Sequence, residues 1–195
     1  MHPGVFILCF VLCRSDKSSV SLYEHTARRY TECMTHSLYI KQKLFSLWGR
    51  YTVENAAGQV VYTVQGEPSL TRRQKIFDDS GHQVGELHKA LLSWLDRFEI
   101  SIHGRPAGTI QQKFGFRPKL ELDYFGWQVR GDIWGWNYDV QDSRGAVIAR
   151  IRKELWHLTD HYAIHYDDLQ CGLPLLLLAL AIDCICDANA AAAGS

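Results

Sequence analysis

Apolar and polar residues alternate along most of the chain between residues 34 and 170, with the period of two that is typical of half-buried β-strands. One arrangement recurs three times: an alternating segment, a turn that contains glycine, and an apolar segment that returns. Asparagine, aspartate and glycine in these turns favour the sharp reversal of a β-hairpin. The pattern therefore predicts three antiparallel hairpins, whose turns end at Gly58, Gly104 and Gly145.

A longer repeat overlies the hairpins. Three ungapped segments share a leucine and a second apolar residue at the start, then a basic residue or histidine, an aromatic residue and an aliphatic end; they are residues 44–53, 91–100 and 155–164. The intervals between the copies are longer and less even than the repeats of solenoid proteins, so they indicate duplicated hairpins within one sheet. Closing that sheet into a barrel would remove the exposed edges that so many strands otherwise leave.

A stripe of large side chains follows the second copy of this repeat. Trp134, Trp136, Tyr138 and Val140 all occupy even-numbered positions, so a strand would place them on one face. Such a row is typical of a core wall. We expect all four side chains to be buried.

The alternation stops near the C-terminus, where Leu173–Ile182 forms one strongly apolar run. Pro174 suits the first turn of a helix, and no further helix breaker follows it before residue 188. The run has about ten residues without charge, against roughly twenty for a membrane span. A helix that is apolar on all sides must be buried on all sides, so we predict a mainly β protein: a closed antiparallel barrel around this helix. The predicted core residues are Leu175, Leu177, Leu178, Leu180 and Ile182.

The first 33 residues do not fit this pattern. Val5–Leu12 has the length of a signal-peptide core, but no basic residue precedes it and no small-residue cleavage site closes it promptly. We predict a non-domain extension over 1–33, either a mis-assigned start or a weak signal-like segment. A single barrel domain over 34–190 and a disordered tail over 191–195 complete the predicted organisation.

Charge and cysteine content restrict the function classes. The chain of 195 residues has 21 basic and 21 acidic residues, so no overall field attracts nucleic acid, and binding of a polyanion requires a local patch. All six cysteines lie outside residues 34–170, where a disulfide framework would have to lie. We therefore expect reduced thiols and a cytoplasmic protein.

No catalytic motif is present. Neither the GxSxG nucleophile motif nor a glycine-rich phosphate loop occurs, and we expect no cofactor. His157, His161 and His165 alternate with apolar residues as in a strand, which would separate neighbouring histidines by about 13 Å, too far to share a metal ion. We expect them to face solvent. If the protein is an enzyme that acts at a barrel mouth, His161, His165 and Asp167 are its candidate proton carriers.

Two basic clusters are candidate binding sites for an anion. The first contains Arg72, Arg73 and Lys75, and the second contains Lys113, Arg117 and Lys119. The segment from residue 113 to residue 119, Lys-Phe-Gly-Phe-Arg-Pro-Lys, interleaves cations with aromatic residues, a combination that suits an anionic lipid headgroup. All six residues are predicted to contact lipid or another anion.

Residues 39–47, Tyr-Ile-Lys-Gln-Lys-Leu-Phe-Ser-Leu, followed by Arg50-Tyr-Thr-Val53 resemble the LURP-one-related family, as do Leu91-Leu-Ser-Trp94 and the final apolar run. The resemblance covers roughly residues 34–188. This family is grouped with tubby C-terminal domains and phospholipid scramblases, so the resemblance implies a twelve-stranded barrel closed around a hydrophobic C-terminal helix. Tubby domains bind phosphoinositides and scramblases move lipids, but neither activity maps onto residues of this chain.

Together these observations predict a non-enzymatic binding or scaffold protein of the LURP-one-related type. Its expected partner is an anionic phospholipid, such as a phosphoinositide, or another protein. We expect no nucleic-acid partner and no integral membrane insertion, and the predicted location is cytoplasmic, peripheral to a membrane where lipid is bound. A scramblase-like lipid-moving protein is the alternative.

Overall fold

A computed structural model of the protein describes residues 34–40, 49–67, 71–91, 96–113, 119–156 and 159–193. The chain divides into two compact units, 1–33 and 34–195, and all described residues belong to the second. They form twelve strands, a short 3-10 turn (Leu169–Cys171) and one long helix, α1 (Gly172–Ala193). The strands are β1 (His36–Ile40), β2 (Arg50–Asn55), β3 (Val60–Gly66), β4 (Gln74–Asp78), β5 (Gln83–Lys89), β6 (Arg97–Ile102), β7 (Arg105–Lys113), β8 (Lys119–Tyr124), β9 (Gln128–Asp132), β10 (Asn137–Gln141), β11 (Val147–Trp156) and β12 (Thr159–Tyr166).

All twelve strands belong to one antiparallel sheet in the order β8-β7-β6-β5-β4-β3-β2-β1-β12-β11-β10-β9. Strands that follow each other in sequence are therefore neighbours, except for β8 and β9, which form the two edges of the sheet. In addition, β1 pairs with β12 and joins the two halves. In that pairing Leu38 lies opposite Ile164. The sheet curls into a nearly closed barrel whose two edge strands are β8 and β9, which confirms the predicted mainly β barrel with a C-terminal helix.

The three predicted hairpins are β2–β3, β6–β7 and β10–β11. The turns of the first and last hairpins are closed by side chains that act as backbone mimics. The Oδ1 atom of Asn55 accepts hydrogen bonds from the N–H groups of Ala57 and Gln59, each at 3.0 Å. Asp142 does the same in the last hairpin, where it accepts from Arg144 and Ala146. The described parts of the longer repeat end in strands β2, β6 and β12.

The barrel encloses α1. Leu175, Leu177, Leu178, Leu180 and Ile182 all have no solvent exposure. The helix fits inside the barrel because β5 has a glycine at the point where the helix passes it. A Cβ atom on Gly85 would lie 3.2 Å from Cδ1 of Leu177. The helix is long and apolar enough to cross a bilayer, but most of it is buried inside the barrel. It continues to Ala193, beyond the predicted domain end at residue 190, because its final alanines favour helix.

Two side-chain contacts fix the ends of this helix. The hydroxyl of Tyr124 donates to the carbonyl of Pro174 at 3.0 Å, near the start of the helix. Near its end, the side-chain amides of Asn189 and Gln112 donate to each other's oxygens, each at 3.0 Å. These contacts tie the helix to β7 and β8 at two points.

The predicted aromatic stripe is correct for three residues of four. Trp136, Tyr138 and Val140 are buried, but Trp134 is 39% exposed. It lies in a turn before β10, in which Asp132 accepts hydrogen bonds from the N–H groups of Trp134 at 3.1 Å and Gly135 at 3.0 Å. The alternation of the sequence runs through this turn, so it could not show where the strand begins.

One charged residue lies within the core. Asp183 on α1 is 2% exposed, and burial, with a smaller contribution from Asp187, raises the pKa of its carboxyl group to about 8. The hydroxyl groups of Tyr51 and Tyr138 are buried and have no hydrogen-bond partner among the described residues. Asp183 is therefore protonated at neutral pH, because ionisation in this environment has no compensating charge.

The central helix makes a quantitative stability prediction. Replacing Leu177, Leu178 or Leu180 by Ala should lower the free energy of unfolding by about 2–5 kcal/mol, because each change leaves a cavity in the core. Urea unfolding followed by circular dichroism measures the change. Leu91→Ala is the matched control, since Leu91 is 68% exposed and should change stability by less than about 0.5 kcal/mol. Equal effects at both places would contradict the central-helix fold.

Protonation of Asp183 makes stability depend on pH. Between about pH 4 and pH 8 the folded chain holds a proton that the unfolded chain has released, so the free energy of unfolding should fall as pH rises, by up to about 1.4 kcal/mol per pH unit. Asp183→Asn should remove most of this slope and raise stability at pH 7. Asp79→Asn, at an exposed turn, is the control. A slope that persists in Asp183→Asn would exclude Asp183 as its source.

Candidate functional site

The end of the barrel at which α1 ends gathers several of the predicted cations. We call it the C-terminal rim and define it by five described residues at or beside strand ends: Arg72, Leu91, Lys113, Lys119 and Trp134. Three contacts place it beside the end of the helix. Gln112 pairs with Asn189, Arg72 reaches the carbonyl of Cys184, and the thiol of Cys186 lies 3.9 Å from the carbonyl of Ile133.

Two lysines of this rim face each other. Lys113 ends β7, Lys119 begins β8, and the two are direct partners in the ladder between these strands. Nζ of Lys113 lies 2.9 Å from a carboxylate oxygen of Glu121, while Lys119 forms no ion pair with a described residue. Like charges directly opposite each other repel. Glu121 therefore neutralises Lys113 alone, and a bound anion would neutralise Lys119.

The cations of β4 are compensated by the protein itself. Nε of Arg73 lies 3.4 Å from a carboxylate oxygen of Glu86, and Nζ of Lys75 lies 2.5 Å from Glu67. Both pairs lie on the outside of the sheet, where they are partly exposed. These two predicted site residues thus retain less unpaired charge than the lysine pair.

The side chain of Arg72 is bound to the helix. Its guanidinium donates to the carbonyl of Cys184 at 3.2 Å, and its backbone has a left-handed φ of 47°. Burial raises the pKa of the Asp187 carboxyl group, and the charge of Arg72 opposes that shift. Arg72 therefore ties the strand β4 side of the barrel to the second half of the helix. The sixth predicted residue, Arg117, lies outside the described residues.

Two exposed apolar side chains accompany the lysines. Leu91, after β5, is 68% exposed, and Trp134 lines the same cleft as Lys119. Sequence reasoning placed Trp134 in the core and assigned Leu91 only to a repeat. The turn signal Asp132-x-x-Gly135 could have identified Trp134 as exposed.

The opposite barrel end has a different character. A cleft of about 760 Å³ lies beside the start of α1, between exposed Phe125 and Leu169, with Arg105 and His103 also in its lining. Neither Arg105 nor His103 forms an ion pair with a described residue. These residues come from three places in the sequence, the β6–β7 hairpin, the β8–β9 turn and the 3-10 turn, so their proximity could not be read from the sequence.

Of the candidate proton carriers, the two with described side chains make structural contacts. His165 is 6% exposed, and its Nδ1 lies 2.9 Å from the hydroxyl of Ser37, so the expectation that it faces solvent is wrong. Asp167 accepts a hydrogen bond from the N–H of Thr35 at 3.2 Å. Both contacts join the end of β12 to the start of the domain. The side chain of His161 lies outside the described part of the structure, as does His157.

The described residues also contain no group of three or more His, Cys, Asp or Glu side chains that could hold a metal ion. Cys171, Cys184 and Cys186 are free thiols, and burial raises the pKa of each. High pKa values keep them as thiols at neutral pH, which is unsuited to nucleophilic chemistry. Nothing in this part of the molecule indicates catalysis.

Comparison with known proteins agrees with this architecture. The chain is 28% identical over 134 residues to the uncharacterized protein YxjI of Bacillus subtilis, an alignment that covers 67% of this chain and 83% of YxjI. A crystal structure of an Arabidopsis thaliana protein shares the fold with a TM-score of 0.54 at 16% identity, covering 82% of this chain and 96% of that one. The model of the LURP-one-related family matches residues 36–169, and the chain belongs to this family.

Proposed function

We propose that this protein is a non-enzymatic binding protein that attaches to anionic phospholipid surfaces through the C-terminal rim. The observation that carries the proposal is the exposed cross-strand pair Lys113 and Lys119, of which only Lys113 has a carboxylate partner among the described residues. Exposed Leu91 and Trp134 on the same rim supply apolar contact.

A membrane interface uses these groups together. Each Lys or Arg near an anionic surface contributes about 1 kcal/mol of attraction, and aromatic side chains lie at the level of the headgroups. The protein has no net charge, so this attraction depends on where its cations lie. The sequence that connects Lys113 to Lys119 contains a further cation, Arg117.

The buried helix favours attachment over insertion. Leaving the barrel would expose the apolar surface of α1 and empty the core, so the helix serves folding first. A scramblase-like protein anchored by this helix is therefore the weaker of the two predicted functions.

A vesicle co-sedimentation experiment with the full chain tests the proposal. Lys113→Ala/Lys119→Ala should weaken binding to vesicles that contain phosphatidylserine or a phosphoinositide by roughly 30-fold, from about 1 kcal/mol per lysine. Binding to phosphatidylcholine alone should be weak for every variant. Added salt should reduce binding of the unmodified chain more than that of the variant.

The matched control removes two cations from the opposite barrel end. Arg105→Ala/Arg144→Ala changes the net charge by the same amount, and both side chains are exposed. We expect this variant to bind as the unmodified chain does. Equal loss in both double variants would mean that net charge, and not the C-terminal rim, controls binding, and undiminished binding of the lysine variant would refute the proposed site.

A further inference from the structure

The cleft beside the start of α1 has the size of a small-molecule site. We call this cleft, of about 760 Å³, the mouth cleft. Ligand sites for small molecules typically have volumes of roughly 300–1,000 Å³. Its lining comes from the β4–β5 and β6–β7 hairpins, the β8–β9 turn, the 3-10 turn and the first residues of α1. Apolar residues predominate in this lining and include Val84, Ile102, Ala107, Phe125, Leu169 and Leu173.

Two large apolar side chains of the mouth cleft are open to solvent. Phe125 is 55% exposed and Leu169 is 69% exposed, while Val84 and Leu173 in the same lining are buried. The ring of Phe125 is held in place by Trp127, at a distance of 5.1 Å between ring centroids. Exposed apolar groups that meet on one concave surface are typical of a binding site. A ligand that contacts both would remove their surface from water.

The two turns beside this cleft have unusual residues at their first central positions. In the β6–β7 turn His103 and Gly104 have φ angles of 49° and 72°. In the β8–β9 turn Phe125 and Gly126 have φ angles of 51° and 68°. Asparagine or aspartate usually precedes the glycine in such a turn, because a bulky side chain is strained in this backbone region. The fold therefore holds a ring at each of these places in the lining at a cost in local conformational energy.

Arg105 occupies a position on the inner face of the sheet, at the mouth of the barrel. It is the direct cross-strand partner of Ile102, and directly opposed side chains lie on the same face of a sheet. Ile102 packs against the core, so Arg105 is a cation where the alternation of the strand would place an apolar residue. Arg105 forms no ion pair with a described residue. A cation in this position attracts an anion to the mouth cleft.

The described lining also contains one carboxylate, that of Asp78, which is bound within its own turn. Its Oδ1 atom accepts a hydrogen bond from the N–H of His82 at 2.8 Å, and its Oδ2 atom lies 3.7 Å from Nδ1 of the same residue. Asp78 therefore does not neutralise Arg105 directly. A ligand for this cleft combines one negative charge with an apolar body.

We propose that the mouth cleft binds a fatty acid, with the carboxylate against Arg105 and the acyl chain between Phe125 and Leu169. A guanidinium matches a carboxylate with two parallel hydrogen bonds, and an acyl chain requires no polar partner in the lining. An extended peptide would pair with a strand edge, but the described lining contains no residue of the edge strands β8 and β9. This inference does not depend on lipid binding at the C-terminal rim, which lies at the other end of the barrel.

Titration calorimetry with the full chain tests the proposal, using ligands below their critical micelle concentrations. Decanoate should bind at one saturable site per chain. Dodecanoate should bind roughly tenfold more tightly, because two further methylene groups are removed from water. Decan-1-ol has the same chain length as decanoate without the charge and should bind at least about tenfold more weakly, because it loses the charge-assisted contact. An unspecific apolar surface would instead prefer the alcohol.

Single substitutions locate the ligand. Arg105→Gln should weaken decanoate binding at least about tenfold and leave decan-1-ol binding unchanged. Arg144→Gln removes another exposed cation at the same end of the barrel and should not change the affinity. Phe125→Asn should weaken binding of both ligands and leave the chain folded, because asparagine favours the left-handed backbone of this turn. Leu169→Ser removes the other apolar wall and gives the same comparison if Phe125→Asn unfolds.

Several results would overturn the proposal. They are absence of saturable dodecanoate binding, binding of decan-1-ol as tight as that of decanoate, and unchanged decanoate affinity in Arg105→Gln. Tighter binding of the peptide acetyl-Gly-Gly-Leu-Leu, with a free terminal carboxylate, would mean that the cleft recognises a protein chain end instead. Loss of decanoate binding in Lys113→Ala/Lys119→Ala would place the ligand at the C-terminal rim.

Discussion

A helix with no polar face cannot be left in water, and the architecture of this protein follows from that constraint. The side chains from Leu175 to Ile182 are fully buried, so apolar contacts must surround the helix through its whole circumference. One sheet face offers only one side. A sheet that curls around the helix covers all sides, and the inward residues of twelve strands supply the matching surface. Gly85 has no side chain, and the sheet therefore leaves space for Leu177 at this position.

The parts of the fold that depend on local pattern could be predicted from the sequence. Alternation identified the three hairpins, and the uniform apolar run identified the helix. The pairing of β1 with β12 could not be predicted locally, because it joins residues more than 120 positions apart whose alternation would suit many partners. The exposure of Trp134 could not be predicted for a related reason. The turn that contains it is closed by a polar residue and continues the same alternation of polar and apolar residues. The prediction that His165 faces solvent was wrong because a strand that is buried on both faces has no solvent-facing side.

The candidate site shows a different limit. A basic cluster can be recognised in sequence, but its net charge depends on which carboxylates lie across the sheet. Arg73 forms an ion pair with Glu86, and Lys75 forms one with Glu67. Arg72 donates a hydrogen bond to the helix, whereas Lys119 has another lysine as its cross-strand partner. These differences arise from register, which fixes the neighbours of every residue at once.

The position of the helix at the end of the chain has a consequence for synthesis. All twelve strands leave the ribosome before the residues that fill their centre, and β1 must wait for β12 before the two halves of the sheet can join. Until then the apolar face of the sheet has no helix to pack against. A topology that depends on contacts between distant residues also folds slowly, and the unpaired strand edges are exposed to aggregation during that time. The barrel can therefore close only once both β12 and the helix have left the ribosome, so its apolar wall waits for its core while the twelve strands are synthesised.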